Sequence, residues 1–276
     1  MDWPNRNRVA SNIDAFFSWS AMPNLSANAT YATVSSGGFP RRASGVIVDL
    51  FPAFNLFGSN WSYLVDLGLG GSGSSADTVV DGMLCVGPTP AAYKWVLPLE
   101  VPANTRIAAR ASNNSGSGTC YINLTPIYGT LAYESCSRII SIGLGTRTTF
   151  GGVGVTPGTS GAKGSWATLS SSLAQSIKGF SLLVTPQLSG NDTHHQYAVD
   201  LHTENTGSPS NILMPDLLMC TGGAGTLGQL SPFATPAGPF PWLPIGVDAG
   251  NQLYVRMAAD IASNPQLWDA VVYAGI

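Results

Sequence analysis

The sequence predicts an all-β protein: two tandem antiparallel sandwiches or jelly rolls, related by internal duplication and preceded by an N-terminal arm. Three observations predict it. Short runs rich in β-branched and aromatic residues alternate with Gly, Pro, Asn and Ser along the chain. Segments with a helical apolar period are scarce, and Asn12 to Trp19 is the one modest candidate. Finally, the chain is written twice.

Tyr31-Ala32-Thr33-Val34-Ser35-Ser36 recurs 135 residues on as Trp166-Ala167-Thr168-Leu169-Ser170-Ser171. Gly45 matches Gly179, and Tyr63-Leu64-Val65-Asp66-Leu67 matches Tyr197-Ala198-Val199-Asp200-Leu201, both at an offset of 134. Leu84-Cys85 matches Met219-Cys220 at 135, while Leu97 to Val101 matches Leu243 to Val247 and Ala109-Arg110 matches Val255-Arg256 at 146. Ile127-Tyr128 pairs with Val272-Tyr273 to close each copy. The jump in offset places an insertion between Cys220 and Trp242, where Gly222 to Gly225 and the proline-rich run from Pro232 to Pro241 have no counterpart. Such a stretch reads as a surface loop, and long loops on rigid scaffolds carry contacts.

The elements follow in order. An arm over 1–22 precedes the first sandwich, 23–129; a linker, 130–138, leads to the second sandwich, 139–276. Gly45 to Leu50, Tyr63 to Leu67, Thr105 to Ala111 and Cys120 to Tyr128 read as strands of the first copy. Ile107, Ala109 and Ala111 fall on one strand face and Arg106, Ala108 and Arg110 on the other, and the second copy repeats this with Leu253, Val255 and Met257 against Gln252, Tyr254 and Arg256. Pro102-Ala103-Asn104 and Asp248-Ala249-Gly250 sit at equivalent turns.

Composition narrows the function. Only 10% of the 276 residues are charged and 44% are hydrophobic, with a formal net charge of −3, so a charge-rich disordered chain is excluded. No run of like charges exists to neutralise phosphates, and no apolar stretch is long enough to span a bilayer, so nucleic acid and membrane are not expected partners. The start, Met1 to Arg6, shows no apolar signal core, and the chain is expected to be soluble and made without classical secretion. Cys85, Cys120, Cys136 and Cys220 form no CxxC pair and read as buried free thiols; a Cys120–Cys136 bridge requires an oxidising compartment.

Each candidate chemistry has a plainer counterpart. Gly68-Leu69-Gly70-Gly71-Ser72-Gly73 matches GxGxxG after a strand, but the following Ser74 to Val80 reads as loop and strand, not the helix a dinucleotide needs. His194, His195 and His202 lie in one span of the second copy. At most one of the adjacent pair can join His202 at a metal, and exposed histidines are the plainer reading. Asp66 and Asp200 repeat, and a structural hydrogen bond to the following loop is expected of each. Asp77, Asp81 and Glu100 are too dispersed for a paired-carboxylate hydrolase. Trp61, Trp95, Trp242 and Trp268 suit sugar-stacking platforms, with core or interface packing the commoner role. No catalytic residue, metal ligand or cofactor is assigned, and the chain is expected not to be an enzyme.

The ordered set Gly164-Ser165-Trp166 with Ala167-Thr168-Leu169, Tyr63 to Gly70 with its Gly/Ser turn, and Leu97 to Arg110 resembles a β-sandwich repeat of tailed-bacteriophage virion structural proteins. Both copies share it, with Asp248 to Gln252 departing from the motif in the second. The resemblance implies a non-enzymatic virion component, either head decoration or cement, or a neck, tail or baseplate subunit. The other reading is a carbohydrate- or receptor-binding module at a tail tip. It implies a homo-oligomer that contacts other virion proteins, a host surface glycan as a further partner, and a virion assembled in the host cytoplasm. Interface residues are then expected in the apolar arm, at Trp3, Phe16, Phe17 and Trp19, and in the inserted loop, at Leu230, Phe233 and Phe240.

Overall fold

Apolar and β-branched runs form strands here, and the Gly-, Ser- and Pro-rich stretches between them turn. The computed structural model describes residues 20–22, 30–53, 61–87, 93–113, 119–131, 133–145, 151–186, 195–204, 211–221, 240–262 and 267–276. Among these the regular elements are strands and there is no helix. The first copy holds β1 (Ser20–Met22), β2 (Ala32–Ser35), β3 (Gly45–Ala53), β4 (Trp61–Leu69), β5 (Asp77–Gly87), β6 (Tyr93–Leu97), β7 (Ile107–Asn113) and β8 (Thr119–Ile127). The second holds β9 (Ile139–Ile142), β10 (Val153–Val155), β11 (Ala167–Ser170), β12 (Gly179–Pro186), β13 (His195–Glu204), β14 (Asn211–Thr221), β15 (Gln252–Ala259) and β16 (Trp268–Gly275). The expected all-β class with two tandem sandwiches is what the chain forms.

One sheet of the first copy runs β1-β8-β3-β6, and the other, β5-β4-β7-β2, faces it. In the second copy β11-β15-β13-β14 matches the latter strand for strand. The duplication extends to the irregularities. β2 slips against β7 between Thr33 and Ser35, and β11 slips against β15 between Thr168 and Ser170. β4 shifts against β5 at Val65, Leu67 and Gly68, and β13 shifts against β14 at Val199, Leu201 and His202. Left-handed backbone recurs at matched positions too, at Gly82 and Asp216 and at Asn104 and Gly250.

Register corrects two of the expected matches. Tyr63 pairs with Cys85 and Tyr197 with Met219, so Cys85 corresponds to Met219 and not to Cys220. Gly45 pairs with Ile127 and Gly179 with Gly275, so Ile127 corresponds to Gly275 and not to Val272. Residue type alone does not decide such cases, because a nearby residue of similar type hides a slip in register. Tyr63 with Tyr197 and Arg110 with Arg256 hold, since Asp66 and Asp200 pair with those arginines.

The copies are not separate beads. β16 takes β12 along one edge and β9 and β10 along the other, and the parallel bridge Val80↔Ile139 continues this layer into β5 of the first copy. Alternation then sends Trp268, Ala270, Val272 and Ala274 into the second core, while Val271 and Tyr273 pack into the first. The Tyr273 hydroxyl accepts from Leu84 N–H at 2.8 Å and donates to Gly82 O at 3.1 Å. Within 130–138, Cys136 is fully buried and bridged to Leu99, so this stretch is built into the fold. β1, at the end of the arm, pairs with β8 of its own sandwich. Cys85, Cys120 and Cys136 are buried free thiols.

Candidate functional site

On β13, Val199 and Leu201 point into the second core, so alternation sets Asp200, His202 and Glu204 on the opposite face of the sheet. β15 lies alongside in regular register, with Arg256 opposite Asp200, Tyr254 opposite His202 and Gln252 opposite Glu204. β14 bulges here, and the left-handed turn at Asp216 aims its backbone N–H at Asp200. An aspartate tolerates that conformation better than most side chains.

Asp200 is the hub. Its Oδ1 accepts from Lys163 Nζ at 2.8 Å and from Asp216 N–H at 2.9 Å, and its Oδ2 accepts from Arg256 Nε at 2.9 Å. Lys163 also reaches the exposed Asp216 carboxylate at 2.6 Å. Burial pushes the Asp200 carboxyl up, but the bonds from Lys163, Asp216 N–H and Arg256 outweigh it and hold its pKa below the ordinary value. Asp200 therefore stays ionised and fully occupied, which suits it to orient cations and not to carry protons.

Above the hub the Arg256 guanidinium lies 4.1 Å from the centre of the half-buried Trp166 ring, and the His202 ring centre is 4.2 Å from the indole at 58°. His202 is 4% exposed, and neither ring nitrogen has a hydrogen-bond partner. Burial lowers its pKa; Asp200 opposes that while Arg256 and Lys163 reinforce it, so the imidazole is neutral at pH 7. A neutral imidazole has one donor and one acceptor nitrogen, and here both are buried without a partner. The chemistry available is hydrogen bonding to, or proton exchange with, a group from outside the chain.

The first copy builds the same frame without the imidazole. Arg110 Nε meets Asp66 Oδ2 at 2.6 Å under Tyr31, and Gly82 N–H meets Asp66 Oδ1 at 2.8 Å. Gly68 stands where His202 does, and a Cβ there would lie 2.9 Å from the Tyr31 ring. Arg106 seals the neighbouring loop, donating to the carbonyls of Gly70, Gly73 and Ser75. Each repeated aspartate thus accepts its hydrogen bond from a backbone N–H at the bulge of the next strand, and it also accepts from an arginine that the sequence did not pair with it.

Other expected residues fall elsewhere. Gly68 and Leu69 end β4 and Gly70 to Gly73 lie in the hairpin turn to β5, so the GxGxxG match meets no helix. Trp95, Trp242 and Trp268 are buried in the cores and offer no sugar platform; Trp61 opens β4. Among the tryptophans whose side chains are described, the half-buried one is Trp166, which in the sequence served only to mark the repeat. His202 is buried, against the expectation of exposed histidines. Among the described residues no three of His, Cys, Asp and Glu gather as metal ligands. Trp3, Phe16, Phe17, Trp19, Leu230 and Phe233 lie outside the described residues, as does His194. Phe240 packs half-buried on its own second core and donates its N–H to Leu182 O at 2.8 Å.

Fold and site together define a tandem β-sandwich protein with a charged, aromatic corner on its second sandwich. No family model and no curated protein matches the chain. Among solved structures the chain is similar to PNGase F, a glycosylasparaginase from Flavobacterium meningosepticum, at 9% identity and a TM-score of 0.44 over 95% of each chain. A recombinant N-glycanase F matches at 9% identity and 0.45 over 96% of each chain. A peptide-N(4)-(N-acetyl-β-D-glucosaminyl) asparagine amidase matches at 8% and 0.42 over 95% of each.

These matches correct two expectations. These three solved structures are enzymes and not virion components, so the non-enzymatic bacteriophage role, with its tail-tip alternative, is withdrawn, and so is the expectation that the chain is no enzyme. The physical reason lies in the corner itself: low overall charge does not prevent Lys163, Asp200, His202, Asp216 and Arg256 from gathering at one place. At these identities and TM-scores the likeness transfers no activity to this chain.

Proposed function

We propose that this chain is a glycan-directed protein that takes its ligand at the Trp166–His202–Arg256 corner of the second sandwich. The observation that carries the reading is the His202 imidazole, buried with both nitrogens unpartnered. Folded proteins pair nearly all their buried polar groups, so such a ring calls for a partner from outside the chain. A sugar supplies what the corner lacks: hydroxyls that donate and accept for the imidazole, and apolar ring carbons for the indole edge. The first copy, with Gly68 in the matched place, has no such vacancy, which makes the corner a property of one copy and not of the repeat.

Retention on an immobilised glycan panel tests the reading, with release of N-glycans from a denatured glycoprotein as a second arm because the matched structures are N-glycanases. The native chain is expected to be retained by at least one glycan, and Trp166→Ala and His202→Ala to lose that retention while remaining folded. A chain that neither binds nor cleaves any glycan of the panel would overturn it.

A further inference from the structure

We infer that the glycan taken by this corner is an acidic one, bound through a carboxylate such as that of a uronic or sialic acid residue. The inference rests on the glycan reading above and adds the charge of the ligand. What the corner leaves open is mostly donors. Arg256 spends Nε on Asp200 and keeps Nη1 and Nη2 without a partner among the described residues, and His202 contributes a ring N–H. The nearby acceptor oxygens of Asp200 are already taken by Lys163, Asp216 N–H and Arg256. A hydroxyl answers such donors with a single uncharged oxygen. A carboxylate presents two oxygens to the planar guanidinium fork and to the imidazole beside it, and charge-assisted bonds of that kind are the strong ones.

Charge balance points the same way. The ion-paired part of the cluster is neutral while His202 is neutral, Lys163 and Arg256 offsetting Asp200 and Asp216, and the buried Glu204 further along β13 has contacts of its own. An arriving carboxylate is then balanced when His202 takes one proton from solvent onto its open ring nitrogen. The charged and titratable groups around that ring are Asp200 and Glu204 on its own strand, Arg256 and Tyr254 on β15, Asp216 on β14 and Lys163 ahead of β11. Binding is therefore accompanied by proton uptake and strengthens as the pH falls from 8 towards 6. The first copy carries the matched pair Asp66–Arg110, but with Gly68 it lacks the imidazole and takes no part.

The experiment titrates the full chain calorimetrically with uronate- and sialate-bearing oligosaccharides, and with the same oligosaccharides after their carboxyls have been converted to methylamides. Each titration is run in two buffers of different ionisation heat. An acidic glycan is expected to bind about tenfold or more tightly than its amidated twin, with protons taken up. That preference should shrink in Arg256→Lys, which keeps a cation for Asp200 but loses the fork, and the proton uptake should vanish in His202→Gln. Equal binding of acidic and amidated forms overturns the acidic class and leaves the glycan reading standing. Binding of neutral glycans only has the same effect. Acid preference unchanged in both variants overturns this corner as its source, and no binding by any form overturns the glycan reading and this inference with it. Thermal unfolding of each variant shows that a lost signal is not a lost fold.

Discussion

Asp66 and Asp200 hold one place in the two copies: each faces an arginine on the neighbouring strand, and each accepts the backbone N–H of the residue sixteen positions on, Gly82 at 2.8 Å and Asp216 at 2.9 Å. The carboxylate thus pins a bulge that β-pairing alone leaves open, and the arginine it holds is laid over an aromatic ring, Tyr31 or Trp166. In the first copy this frame is closed and serves the fold. In the second it supports the open imidazole.

Removing the hub of the closed copy is therefore expected to cost stability first. Asp66→Ala strands the Gly82 N–H and the Arg110 guanidinium, and Asp66 is 0% exposed. Breaking a buried pair from one side costs about 3 kcal/mol. Denaturant unfolding of the variant against the native chain checks this; a loss below about 1 kcal/mol would mean that water replaces the carboxylate at little cost.

The titration of His202 should appear in the pH dependence of stability. Its pKa in the folded chain lies below the ordinary 6.5, so between those two values the unfolded chain binds the proton and the folded one does not. Stability from this group is complete above 6.5, declines as the pH falls below it, and levels off once the folded pKa is passed. Urea midpoints at several pH values from 8 to 5, measured without ligand, should show this decline in the native chain and a flatter profile in His202→Gln. The Asp200 carboxyl, held below its ordinary 3.8, adds its own loss only at lower pH.

Much of this architecture was legible in the sequence, because alternation fixes which face of a strand meets the core, and a copied strand carries its alternation with it. Tyr63 with Tyr197 and Arg110 with Arg256 are matched for that reason. The slips came where a neighbour of similar type masked a shift in register, as with Met219 and Cys220. The candidate corner was hidden for a different reason. Trp166 and His202 meet only because β11, β15 and β13 lie side by side, a long-range pairing that local pattern does not encode. One signal was present all the same: at matched positions the first copy has Gly68, Gly82 and Ala108 where the second has His202, Asp216 and Tyr254. Small residues on one side of a duplication and functional ones on the other mark where the copies diverged.

Tyr273 should prove to couple the copies. Its buried hydroxyl takes the Leu84 N–H and gives its proton to Gly82 O, next to the bulge that Asp66 holds. Tyr273→Phe leaves both β5 groups unsatisfied in an apolar layer, a loss of about 1–3 kcal/mol. If the sandwiches unfold as one cooperative unit, calorimetry will show a single transition moved to lower temperature; a second, separate transition appearing in the variant would show that this hydroxyl is what joins them.

The open imidazole should also carry a stability cost that the ligand relieves. His202 is 4% exposed and gives both nitrogens to no partner, and it packs against Trp166. Leucine is near it in volume and brings no polar atom, so His202→Leu exchanges a buried, unsatisfied ring for apolar contact. Relieving one such group is worth about 1–3 kcal/mol, less what imperfect packing takes back. The variant is therefore expected to melt above the native chain while losing its glycan ligand, the opposite of a residue kept for packing. A variant that melts below the native chain would mean that the imidazole is satisfied by water in solution, and the corner would then have to be explained without an open valence.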